Sequence, residues 1–176
     1  MRRVQNLLDE QFKIRVEHGG ELGVGVRKSR RPLATRKPMF VTFKSSAAGG
    51  KTSFHRYQGF IHKTIAALAA RFGVKVYKYS INSNHLHMLL KGDTRIGLQN
   101  FFRTLPALIA RKITSATKGN PLGKRFWDRL VHSRIVEGGK AFRFAIQYVI
   151  RNQRETSGQI PFTPRQRKSR CTVIVT

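Results

Sequence analysis

Acidic residues are scarce in this chain. Only 8 Asp and Glu stand against 35 Lys and Arg, which leaves a formal net charge of +27 over 176 residues. Hydrolases that gather carboxylates around a metal would lack their ligands here. Asp93 is the only acid close to the histidine motif described below. No P-loop or other nucleotide-binding motif occurs, so nothing points to nucleotide-driven work. Cysteine is nearly missing too, and the single Cys171 excludes an internal disulfide framework and a cysteine-rich zinc site. No apolar run is long enough for a bilayer, and no lipidation signal is present. The basic N-terminus, MRRVQNLLDEQFK, lacks the apolar core and small-residue cleavage site of a secretory signal. The expectation is a cytoplasmic protein without a membrane partner.

What is present suits one domain with a core and an appended arm, since 40% of the residues are hydrophobic. A positive field this lopsided repels itself and collects polyanions. Nucleic acid is the partner it implies, and an unspecific solvated surface is the alternative.

Residues 1–37 contain HGGELGVGVRKSRRPLATRKP and read as a basic extended arm. The domain proper is expected at 38–157, with a basic tail over 158–176. PMFVTFKS (38–45) alternates as a strand. HRYQGFIHKTIAALAARFG carries Phe60, Ile61, Ile65, Leu68 and Phe72 near helical spacing, with Gly73 as its stop. VKVYKYSI (74–81) and HLHMLLKG (85–92) read as strands around an Asn-Ser-Asn turn. The segment 95–119 is helical in pattern, with a kink or break expected at Pro106. FWDRLVHSRIVEG (126–138) predicts a fourth strand, 140–155 a last amphipathic helix, and TVIVT a short terminal strand. The order β-α-β-β-α-β predicts a ferredoxin-like α+β fold, an antiparallel sheet with two helices on one face. One extra C-terminal helix is left over.

In NSNHLHMLLKG, residues two apart on a strand face the same way, so His85 and His87 stand side by side with Leu86 and Met88 behind them. Two imidazoles at that spacing can share a divalent metal, given further ligands from elsewhere. They could equally be two half-exposed histidines, hydrogen-bonded or stacked on a ligand. In AIQYVIRNQ, Tyr148 and Asn152 are four apart and share one helix face. An Asn amide oxygen is a plausible third ligand beside two imidazoles. A phenol is a weak nucleophile at neutral pH, but its phenolate becomes accessible beside a metal-polarised phosphate. An ordinary packed aromatic is the other reading of Tyr148.

Four stretches together resemble the IS200-like tyrosine transposases, the HUH single-strand endonucleases with one catalytic tyrosine, and within them the REP-associated branch. They are RPLATRKPMFVTFKS, NSNHLHMLLKG, GKRFWDRLVHSRIV and QYVIRNQ, and the likeness spans roughly residues 32–157. Two departures stand out. Asn82-Ser83-Asn84 replaces the Met-Pro-Asn often found before the first histidine, and Asn152 is followed by Gln153, not Pro. The second change leaves Gln153 as a rival third ligand, although its offset of five from Tyr148 is less favourable.

The resemblance implies that His85, His87 and Asn152 hold one Mg²⁺ or Mn²⁺, and that Tyr148 attacks a phosphate of single-stranded or hairpin DNA. A 5′-phosphotyrosine and a free 3′-OH would result, and a second strand could reverse the step. Arg27, Lys28, Arg30, Arg31, Arg36 and Lys37 would follow phosphates, or simply form a solubilising arm. Arg129 and Arg151 would hold phosphate near the metal, or be surface charges. Phe126, Trp127, Phe142 and Phe144 are core or base-stacking candidates. His132 and His55 are set aside as bystanders. A homodimer, with the tyrosine serving either chain, stays open. The rival function is a domesticated or non-catalytic hairpin-binding protein on the same frame.

Overall fold

In the computed structural model, residues 17–25 and 30–163 are described. Arg27, Lys28, Cys171 and the TVIVT segment lie outside them. Five strands form one antiparallel sheet: β1 Glu17–His18, β2 Met39–Lys44, β3 Val74–Ile81, β4 His85–Gly92 and β5 His132–Ile135, in the order β1-β5-β2-β4-β3. Without β1 this is the ferredoxin-like order. Three α-helices complete it: α1 Gln58–Phe72, α2 Arg95–Thr114 and α3 Gly138–Thr156.

Alternation builds the core. Met39, Val41 and Phe43 of β2 and Leu86, Met88 and Leu90 of β4 are fully or almost fully buried. They meet Ile61, Ile65 and Leu68 of α1 and Leu98, Phe101, Leu105 and Ile109 of α2. Each such side chain contributes roughly 1.5–3 kcal/mol by leaving water. α1 stops where Gly73 turns left-handed at φ 62°, as its sequence predicts. α2 starts at Thr94, whose hydroxyl accepts the Gly97 N–H at 3.0 Å.

Several expectations need correction. The helix is not broken at Pro106 but runs through it to Thr114, because Leu105 and Ile109 bury on either side. Packing there outweighs one lost hydrogen bond. The helix also ends before 119, at Ser115 in a left-handed conformation. The fourth strand is only His132–Ile135, since Phe126 turns into the core instead of extending the ladder. Within the expected arm, Glu17 and His18 pair with Arg134 and Ser133 and so add a strand at the sheet edge. Arg31 also reaches in, and its Nη1 donates to Ser133 Oγ at 2.6 Å.

Candidate active site

The alternate residues of the central strands point away from α1 and α2, and α3 packs over that second face. Phe40, Thr42 and Lys44 of β2 pair across the ladder with Leu89, His87 and His85 of β4. On its other side, Thr42 pairs with His132 of β5. A row of His87, Thr42 and His132 therefore crosses three strands. The two motif histidines stand with ring centroids 4.7 Å apart, as strand geometry requires.

α3 brings Tyr148 to this row. Its ring centroid lies 5.3 Å from that of His87 and 5.6 Å from that of Phe40, edge-on to both. Tyr148 is half-buried, and Asn152, one turn further on, is buried. Asn152 Nδ2 donates to the Tyr148 carbonyl at 2.6 Å, which fixes the amide along the helix. Helical spacing does this, placing Ala145, Tyr148, Val149 and Asn152 on one side.

Hydrogen bonds orient both imidazoles. Thr42 Oγ1 lies 2.9 Å from His87 Nδ1. Asn82 Oδ1 accepts from the hydroxyls of Ser80, at 3.2 Å, and Thr156. Its amide nitrogen must therefore face His85 Nε2, 2.6 Å away, as donor. His85 Nδ1–H then donates to Asn84 Oδ1 at 2.8 Å. This assigned tautomer leaves the lone pair on Nε2, with the second nitrogen held by an amide oxygen, the pattern usual behind a metal-ligating histidine. Imidazole, imidazole and amide oxygen are a donor set suited to Mn²⁺ or Mg²⁺ with substrate completing the shell. An ion on His85 Nε2 must displace the Asn82 amide. Among the described residues no three His, Cys, Asp or Glu side chains cluster as ligands.

A cavity of about 440 Å³ opens beside Tyr148, lined by Phe40, Arg134 and Phe144 among others. Another, of about 380 Å³, lies across Thr42 with Lys44, Arg129 and His132 in its walls. Arg129 is exposed there. Arg151 points elsewhere and pairs with Glu155 at 2.9 Å. Lys37 pairs with Glu137 at 2.5 Å, and Arg30 and Arg36 are exposed. Of the four aromatic candidates, Phe126 and Trp127 belong to the core, Phe142 packs edge-on against Tyr77, and Phe144 is exposed.

Sequence reasoning missed Thr42, Asn82 and Arg134, and it dismissed His132. Strand alternation alone would have put Thr42 on the histidine face. Register was needed for the rest. Burial is the main cause that pushes the His132 pKa down from its ordinary 6.5; Glu17 opposes this, and Arg31 and Arg134 add to it. The folded state then binds fewer protons than the unfolded one as pH falls below about 6.5. Stability is full above that pH and declines below it. In urea titrations from pH 7.5 to 5, His132→Gln is expected to flatten this decline.

The description "Transposase IS200 like" belongs to the family model that matches residues 51–153. No curated protein matches the chain. Among solved structures, a REP-associated tyrosine transposase bound to a REP hairpin superposes with a TM-score of 0.54 at 15% identity, over 77% of this chain and 76% of that one. A crystal structure of an assigned transposase from Deinococcus radiodurans R1 gives a TM-score of 0.43 at 17% identity, over 72% of this chain and 98% of that one. Among the described residues no helix is long and apolar enough to cross a membrane. With more than half its length matched by one family model, the chain belongs to the IS200-like transposase family.

Proposed function

We propose that the protein cleaves and rejoins single-stranded DNA beside hairpins through a 5′-phosphotyrosine. The observation that carries this reading is the Tyr148 ring, 5.3 Å from His87 in the same chain. Tyr148 Oη attacks phosphorus in line, the P–O3′ bond breaks, and the phenol proton ends on the released 3′ oxygen. Phosphodiester energy is retained in the tyrosyl ester, so a 3′-OH can reverse the step without an external energy source. His85, His87 and Asn152 would hold one Mg²⁺ or Mn²⁺. When bound, such an ion polarises the scissile phosphate and neutralises charge on the leaving oxygen. Thr42 and Asn84 orient the imidazoles, while Arg134 and Arg129 offer charge to the flanking phosphates. The hairpin as substrate is supported by the structural neighbour, which is bound to one.

The test mixes the full chain with labelled single-stranded hairpin DNA from the flanks of its gene. The products are separated on a denaturing gel. A protein–DNA adduct should form with Mn²⁺ or Mg²⁺ and vanish with EDTA. His87→Ala should lower it by at least about a hundredfold, the scale of losing electrostatic stabilisation at a reacting centre. DNA retained without any adduct would instead favour a hairpin-binding protein. An adduct unchanged by EDTA would remove the metal from the scheme.

A further inference from the structure

On the other face of the sheet a cleft of about 420 Å³ gathers Arg30, Arg31, Arg95 and Arg103, with Phe102 and Leu130 among its apolar walls. Among the described residues no carboxylate lines it. None of the ion pairs among the described residues uses these four arginines. Four like charges around one cleft repel, and an anion between them reverses the sign. Arg31 is half-buried, and among the described residues no carboxylate pairs with it. Its guanidinium donates to the Ser133 hydroxyl and lies over the Phe102 ring, 5.7 Å from the centroid, and burial lowers its pKa. Arg95 Nη2 donates to the Arg31 carbonyl at 3.3 Å, but Arg95 Nε is buried with no hydrogen-bond partner among the described residues. Orphaned buried donors are rare in folded proteins and mark a place where a partner belongs.

The volume fits a nucleotide rather than a bare ion. Planar guanidiniums suit phosphate oxygens, and the Phe102 wall suits a base or sugar. Ser133 is buried on the core side of β5, whereas its neighbours His132 and Arg134 face Tyr148's side. A strand held in the cleft would therefore not compete for the scissile position.

We propose that this cleft is a second DNA site, taking a phosphate and its nucleotide from single-stranded DNA outside the segment presented to Tyr148. Only the class of ligand rests on the function proposed above. The test is fluorescence anisotropy of labelled single-stranded DNA with the full chain over a range of NaCl concentrations. The exposed pair Arg30→Ala/Arg103→Ala is compared with Lys63→Ala/Arg71→Ala, which removes the same charge from α1. The cleft pair should weaken binding roughly tenfold near physiological salt. It should also make the log–log salt dependence shallower by about 1.4, the value for two single-strand phosphate contacts. The α1 pair should weaken it less than about threefold. Adduct yield at saturating DNA is measured for both pairs, so that an effect on affinity is separated from one on chemistry. If no variant forms adduct, the tyrosine chemistry fails while the binding comparison still reads the cleft. Equal weakening by both pairs would overturn the proposal in favour of diffuse charge. So would a free deoxynucleoside monophosphate that binds through these arginines while DNA affinity stays unchanged.

Discussion

Tyr148→Phe is expected to abolish the protein–DNA adduct while leaving the fold and DNA affinity close to wild type. The substitution removes one oxygen. The ring that packs against Phe40 and His87 stays, so stability should change by no more than about 1 kcal/mol. Loss of the nucleophile itself is a different magnitude, on the order of 10⁴-fold or more in rate, because no neighbouring group replaces it. Of the two tyrosines on β3, Tyr79 is turned to His62, with its hydroxyl 2.7 Å from His62 Nδ1, and Tyr77 packs edge-on against Phe142. Denaturing gels measure the adduct, anisotropy the affinity and thermal melts the fold. Adduct persisting at more than a few per cent of wild type would move the nucleophile to another residue. Binding lost together with the adduct would recast Tyr148 as a contact for DNA.

The second large effect concerns stability. Gly97 sits in the first turn of α2, and a Cβ there would lie 2.2 Å from the Phe72 carbonyl oxygen at the end of α1. That oxygen is backbone and cannot rotate away. Gly→Ala within a helix ordinarily stabilises by roughly 1 kcal/mol, and less in the first turn. Here the close approach should win. Separating α1 from α2 disturbs Leu98 and Phe101, both fully buried, and overpacking of this kind costs about 1–3 kcal/mol or more. A melting temperature lowered by roughly 3–10 °C follows for a chain of this size. Gly119→Ala and Gly123→Ala, with nothing near the added carbon, should leave it almost unchanged. If Gly97→Ala melts with these two, the contact between the helix ends is not a constraint on the fold.

Local pattern was a good guide wherever one face of an element decides its burial. The alternation of MFVTFK, VKVYKYSI and HLHMLLKG, and the Gly73 stop, correspond to β2, β3, β4 and the end of α1. It failed at Phe126, where a β-favouring residue serves the core instead of a ladder, and of the kink or break expected at Pro106 the break does not occur, because burial of Leu105 and Ile109 overrides a local penalty. Lengths of elements were misjudged for the same reason, since tertiary contacts and not propensity set where α2 and β5 end.

By itself the sequence determined the charge that draws the chain to polyanions, the order of strands and helices, and two pairs of residues. His85 and His87 share a face because strands repeat every two residues, and Tyr148 and Asn152 share one because helices repeat every 3.6. Only the tertiary structure decided that these pairs meet. The distance between Tyr148 and His87 depends on how α3 lies over β3 and β4, and no local period contains it. The same holds for Thr42 behind His87, for Asn82 between His85 and Thr156, and for the arginine cleft that joins residues 30–31 to α2. Each joins residues far apart in the chain, through register and packing that belong to the fold as a whole.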